Sequence, residues 1–265
     1  MLDATTLFDR EDRCYLDGLI EIPISFATFG RPAEIGVEWH HTENQGPIGS
    51  CQGNDLTSIL ERLQFVLSGS VATVKQLSRI FAYLATQKID GLLGADNGST
   101  ISGGAKLATG TGAPPEELTG YPKAYPGKAD RAKILDPANY AAAAPFKAKT
   151  AWKCPTDPDA AMNFIAAGGG ISIGIGWYSG LIPADRVVRK YNPPARPGGH
   201  AMAVLGYTRN GNLRAVNSHA DGPYEIEGAA WIKIMEHQRT SAIGLTGSSN
   251  DQPIDWSKRS PWFGD

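Results

Sequence analysis

The stretch from Asn44 to Asn54, NQGPIGSCQGN, sets a cysteine among turn-forming residues just ahead of a segment with helical periodicity. A thiol attacks a carbonyl well only as the thiolate, and a helix N-terminus lowers a thiol pKa without a metal. Cys51 stands in the first turn of that helix or just before it. Otherwise a free cysteine packs as a small hydrophobe, so the chemical reading needs a base elsewhere in the chain.

Histidine suits that task because it titrates near neutrality, and the sequence holds five. His40 and His41 are adjacent and read as a solvated loop pair, since neighbours on an extended segment point to opposite sides. His237 reads as exposed near the end of a strand. His219 has a stronger claim. His200 is the best candidate, following Gly198-Gly199 and opening the strand AMAVLGY, where a rigid sheet edge can present an imidazole.

These residues carry a resemblance. NQGPIGSCQGN resembles the active-site loop of papain-like cysteine peptidases, GGHAMAVLGY their histidine strand and AVNSHADGPY their Asn-Ser-Trp-Gly turn, in the family's order. His200 lies 149 residues after Cys51 and Asn217 lies 166 after it, close to the family's spacing of about 130 to 150. PAEIGVEW, from Pro32, is similar to the entry of the mature family. QLSRIFAYLATQKIDG with NGSTISGG and ATGTGAPPEELTGYP, and FIAAGGGISIGIGWY, are similar to further elements, so the likeness spans Pro32 to Glu236.

The resemblance implies roles residue by residue. Cys51 is the nucleophile, and His200 the general base and then general acid. Asn217 orients the His200 ring, and Gln45, six residues before the cysteine, donates to the oxyanion together with the Cys51 N–H. Gly103-Gly104 would offer open backbone to an extended peptide, with Ile173 near the S2 pocket. Neither metal nor cofactor is implied. Three departures stand out: Ile48 replaces a disulfide cysteine, Gln52 the tryptophan after the nucleophile, and His219 the tryptophan that covers the Asn–His bond. The last predicts a thiolate–imidazolium pair weaker or more pH dependent than in typical members.

The elements must bring these residues together. From Leu56, the positions Leu56, Ile59, Leu60, Leu63 and Leu67 fall on one helix face. A second helix is expected in VATVKQLSRIFAYLATQK. Gly94 to Gly112 reads as loop with a short helix around Ala105 to Ala108, and 113–150 as an irregular crossing. After a helix in DPDAAMNFIAAG, the segments ISIGIGWY, HAMAVLGYT, LRAVNSHA and AAWIKIME read as strands. Helices first and strands later make an α+β protein. By resemblance it has two lobes, helical over about 51–145 and antiparallel and β-barrel-like over about 150–247, within a catalytic domain at 32–247. Residues 1–31 form an arm and 248–265 a tail. The 31 residues before Pro32 are too few for the family's inhibitory pro-segment, so either the enzyme is born active or the arm lies in the cleft.

The totals narrow the classes of function. With 25 basic and 27 acidic residues the formal charge is −2, which gives no field toward nucleic acid or an anionic membrane. No signal peptide and no apolar run of about 20 residues are visible. Three cysteines are too few for a disulfide framework, which fits a reducing, cytoplasmic or particle-associated location. The expected partner is a peptide or protein substrate in extended conformation. The reading of a different class is a papain-like fold serving as a structural or binding component, for example of a phage particle. Isopeptide cleavage or acyl transfer is a third.

Overall fold

The computed structural model describes residues 19, 31–238 and 240–247. The expected C-terminal tail and nearly all of the N-terminal arm therefore lie outside the described residues. Helix α1 (Cys51–Ser68) runs on the expected periodicity and buries Leu56, Ile59, Leu60 and Leu63. Leu67, placed on the same stripe, is 64% exposed in the last turn, and Phe65 and Val66 are buried instead. Helix α2 (Arg79–Ile89) is shorter than its sequence pattern, because Ser78 caps it by accepting from the Phe81 N–H, a preferred N-cap role. The two helices approach closely at Gly53, where a Cβ would lie 2.5 Å from the Arg79 carbonyl oxygen.

The glycine-rich segment holds more helix than expected. Thr100 caps α3 (Ile101–Gly110). The crossing at 113–150 contains α4 (Lys128–Ile134) and α5 (Pro137–Ala143), each a short helix started by a turn residue or proline. Then come β1 (Thr150–Lys153), α6 (Pro158–Ala166), β2 (Gly170–Trp177), β3 (Val187–Val188), β4 (Gly198–Tyr207), β5 (Leu213–Val216) and β6 (Tyr224–Ile226). AAWIKIME is not a strand but belongs to α7 (Gly228–Glu236), which buries Ala230, Trp231 and Ile234 at helical spacing. Its β-branched residues suggested a strand, and packing on one face decided for a helix. Strand β7 (Ser241–Thr246) follows.

The strands form one sheet in the order β1-β7-β2-β4-β5-β6-β3. All pairs are antiparallel except β3 with β6, and the two ends do not pair, so the lobe is an open mixed sheet rather than a closed barrel. Alternation along β4 divides the core. Ala201, Ala203 and Leu205 join α1, α2 and α3 in one apolar cluster, to which Leu19 also packs. Met202 and Val204 join α6, α7 and β2 in the other, as a period of two requires, and an irregularity in the pairing between Val204 and Gly206 brings Tyr207 to the same side. Helix α1 thus lies across the face of β4 and β2, with its first residue against the start of β4. No helix among the described residues is long and apolar enough to cross a membrane.

Candidate active site

Cys51 is the first residue of α1, and Ser50 precedes it as N-cap. The cysteine keeps part of its surface open, and the backbone N–H of Ala201 reaches its sulfur. Ala201 follows His200 on β4, so the start of α1 lies beside the strand that carries the histidine. The His200 ring nitrogen Nε2 lies 2.7 Å from Asn217 Oδ1, and both residues are buried.

The surroundings of Asn217 assign the proton in that bond. Its Oδ1 also accepts from the Ser218 N–H at 2.9 Å, while its Nδ2 donates to Asp221 Oδ1 at 3.1 Å and lies 3.3 Å from His219 Nδ1. With Oδ1 as acceptor, His200 carries its proton on Nε2, leaving Nδ1 with a lone pair. The turn that brings Asp221 back holds Ala220 at φ 59°, a left-handed conformation that costs a non-glycine residue about 1 kcal/mol or more.

Tryptophan covers this bond from an unexpected element. Trp177, at the end of β2, packs 4.5 Å from the His200 ring and edge-on to His219 at 5.2 Å. His219 itself stacks on His200 at 4.4 Å. An indole is therefore present over the imidazole although position 219 lacks one. The sequence signal was only the aromatic pair ending GISIGIGWY.

Burial works against an ion pair. It pushes the Cys51 thiol up to about 11, helped by the Asp55 carboxyl and opposed by backbone N–H groups led by that of Ala201. Burial also lowers His200 to about 4; Asn217 pulls it up and His219 down. Burial thus opposes the charged form of each group, which works against the thiolate–imidazolium pair that the helix terminus favours. Asp55, one turn along α1, is also raised by burial and accepts from Ser172 Oγ.

Both ends of the Gln45 amide are bonded within the protein. Its Oε1 accepts from Ser218 Oγ at 2.5 Å, and its Nε2 donates to the Ile48 carbonyl at 2.9 Å, leaving one amide hydrogen. Its backbone N–H donates to the Ser218 carbonyl. Tyr121 Oη bridges the Gln45 carbonyl at 3.0 Å and Ser50 Oγ at 2.6 Å. Arg79, which the sequence did not single out, packs on the Tyr121 ring at 4.2 Å and pairs with Glu116 and the buried Glu43. Where the resemblance expected a disulfide, Asp96 accepts from the Gly49 N–H at 3.0 Å and from Tyr83 Oη at 2.7 Å.

Three expected substrate positions do not survive. Gly103 and Gly104 are buried inside α3, their N–H groups bonded to Thr100, with the side chains of Asp90 and Gln52 filling the space above them. They offer no open backbone to a peptide. Gln52 also accepts from Ser99 Oγ at 3.0 Å. Ile173 is fully buried between Met202 and Ala242 in the second cluster, so it has no surface for a pocket. The remaining histidines differ from expectation too. His237 caps the end of α7 against Tyr191. The His40 side chain is buried, and burial, with His41 beside it, lowers its pKa to about 3.

No protein-family model and no curated protein matches this sequence. The fold is nevertheless that of the papain-like cysteine proteases. The chain superposes on xylellain, a cysteine protease from Xylella fastidiosa, with a TM-score of 0.70 and 21% identity over 87% of this chain and 92% of that one. The Carica candamarcensis cysteine protease CMS1MS2, in complex with E-64, matches with a TM-score of 0.58 and 16% identity, over 82% of this chain and 99% of that one. Digestive procathepsin L 3 from Tenebrio molitor larval midgut matches at 0.61 and 13% identity, over 89% and 79%.

Proposed function

We propose that this chain is a cysteine peptidase that hydrolyses peptide bonds through Cys51, His200 and Asn217, with Gln45 in the oxyanion hole. The observation that carries the reading is the buried His200–Asn217 bond on the strand whose next residue touches the Cys51 sulfur. The Nδ1 lone pair of His200 takes the thiol proton as sulfur attacks the substrate carbonyl carbon. The oxyanion is met by the Cys51 N–H, at a position with no helical partner, and by the remaining amide hydrogen of Gln45. The C–N bond then breaks, His200 passes the proton to the leaving amine, and water attacks the thioester by the reverse proton path. Peptide or protein substrates fit this chemistry.

A specific observation favours a second reading, a papain-like fold used as a structural or binding component. Desolvation raises the Cys51 thiol and lowers the His200 imidazole, which opposes formation of a reactive ion pair. One experiment separates the two. The peptidase reading expects stoichiometric labelling by an epoxide of the E-64 type under reducing conditions, lost in Cys51→Ala, together with cleavage of a peptide library. No labelling would support the structural reading.

A further inference from the structure

The two histidines that read as a solvated pair instead meet two acids at the back of α1. His40, His41, Glu43 and Glu61 each direct one potential ligand atom to a common point, and these atoms all lie within 4.8 Å of one another. His40 Nε2 and Glu61 Oε2 face each other at 3.5 Å with side chains 2% and 1% exposed. Among the described residues, neither atom has a hydrogen-bond partner. Leaving two such atoms buried and unmatched costs about 1–3 kcal/mol each.

We propose that His40, His41, Glu43 and Glu61 form a structural site for one divalent transition-metal ion of the zinc type. Two imidazoles and two carboxylates are ligand types that zinc accepts, and it is four-coordinate where it serves structure, although cysteine is the commoner ligand there. Bonds of about 2.0 Å in a tetrahedron separate the donors by about 3.3 Å, so the wider pairs close inward while His41 and Glu43, 2.6 Å apart, open slightly around an ion. Supporting bonds are in place, as they are around metal ligands generally. The Leu77 N–H donates to Glu61 Oε1 at 2.8 Å, which aims Oε2 at His40. Arg79 holds the far oxygen of Glu43, whose Oε1 lies 2.6 Å from His41 Nε2.

Charge supports a dication. Arg79 pairs with both Glu43 and Glu116, and Glu61 faces the two histidines, so three carboxyl groups share one guanidinium among these pairs. The His40 and His41 rings stack at 4.8 Å, and His41, 42% exposed, gives the ion a way in. The ion would tie segment 40–43 to α1. That segment continues into Gln45, and Ala220 donates to the Glu43 carbonyl, so the site would brace the turn after Asn217.

The test uses the full chain with Cys51 alkylated, so that its thiol cannot compete and the result is independent of the peptidase reading. After chelator treatment, calorimetric titration with zinc should show one ion per chain and a higher melting temperature. His41→Gln, at the most exposed ligand, should weaken binding at least tenfold. No binding up to about 1 mM, or equal affinity in a folded His41→Gln, overturns the proposal. Should that variant fail to fold, cobalt added to the unmutated chain decides: visible bands of a four-coordinate nitrogen–oxygen site support the proposal, and their absence overturns it.

Discussion

His200 donates through Nε2 to Asn217 Oδ1 over 2.7 Å, beneath the indole of Trp177. The bond leaves Nδ1, on the far side of the ring from Asn217, with its lone pair. Removing it in Asn217→Ala frees the ring to change tautomer and leaves a buried N–H unmatched, at about 1–3 kcal/mol. The expected outcome is a fall in kcat/KM of about 10- to 100-fold with Cys51 still open to alkylation. Unchanged kcat/KM in steady-state peptide assays would remove Asn217 from the mechanism.

Thiol reactivity should follow the desolvation of Cys51 and His200. With Cys51 pushed up to about 11, alkylation by iodoacetamide should climb about tenfold per pH unit between about pH 6 and about pH 10. His219, stacked on His200, disfavours a proton there. His219→Trp should therefore raise the His200 pKa and move the acid limb of peptide hydrolysis upward. A flat alkylation profile extending below about pH 6 in the unmutated chain would show the ion pair instead.

Acid should destabilise the fold through His200. Its folded pKa of about 4 lies below the ordinary 6.5, so the unfolded chain binds more protons between those values. Stability from this group is complete above about pH 6.5 and declines as pH falls toward about 4, by about 3 kcal/mol. Urea denaturation across this range should show the loss, which His40, also lowered by burial, shares, and His200→Gln should reduce the slope without abolishing it.

Gln45→Ala should lower kcat by about 10²- to 10³-fold, the usual cost of one oxyanion donor, with a smaller change in KM. Because Gln45 Oε1 also anchors Ser218, thermal denaturation of the variant reports any structural contribution. A loss confined to KM would assign Gln45 to ground-state binding.

Arg79→Met should destabilise the chain by about 3–5 kcal/mol, since it leaves Glu43 buried without its guanidinium. Chemical denaturation measures the change. A loss below about 1 kcal/mol would mean that the cluster is solvated like a surface pair.

Legibility differed by residue. Cys51 at the start of α1, the strand opened by His200 and the α+β class were readable because local periodicity and turn residues mark them. Gly103 and Gly104 misled, because glycines in an Asn- and Ser-rich run suggest loop, whereas the Thr100 cap and the close approach of Gln52 make them helix. AAWIKIME misled because its composition favours a strand while its buried face has helical spacing. Trp177, Arg79 and the His40–Glu61 pair act across spans that no local pattern encodes.

By itself the sequence determined which chemical groups exist, their order, and the helix and strands that carry Cys51 and His200, since these depend on neighbours within a few residues. Only the tertiary structure decided which groups meet and in what protonation state. Desolvation and contact arise when α1 lies across β4, and that packing pushes the Cys51 thiol up and the His200 imidazole down, seals Ile173 in the core and sets His40 facing Glu61.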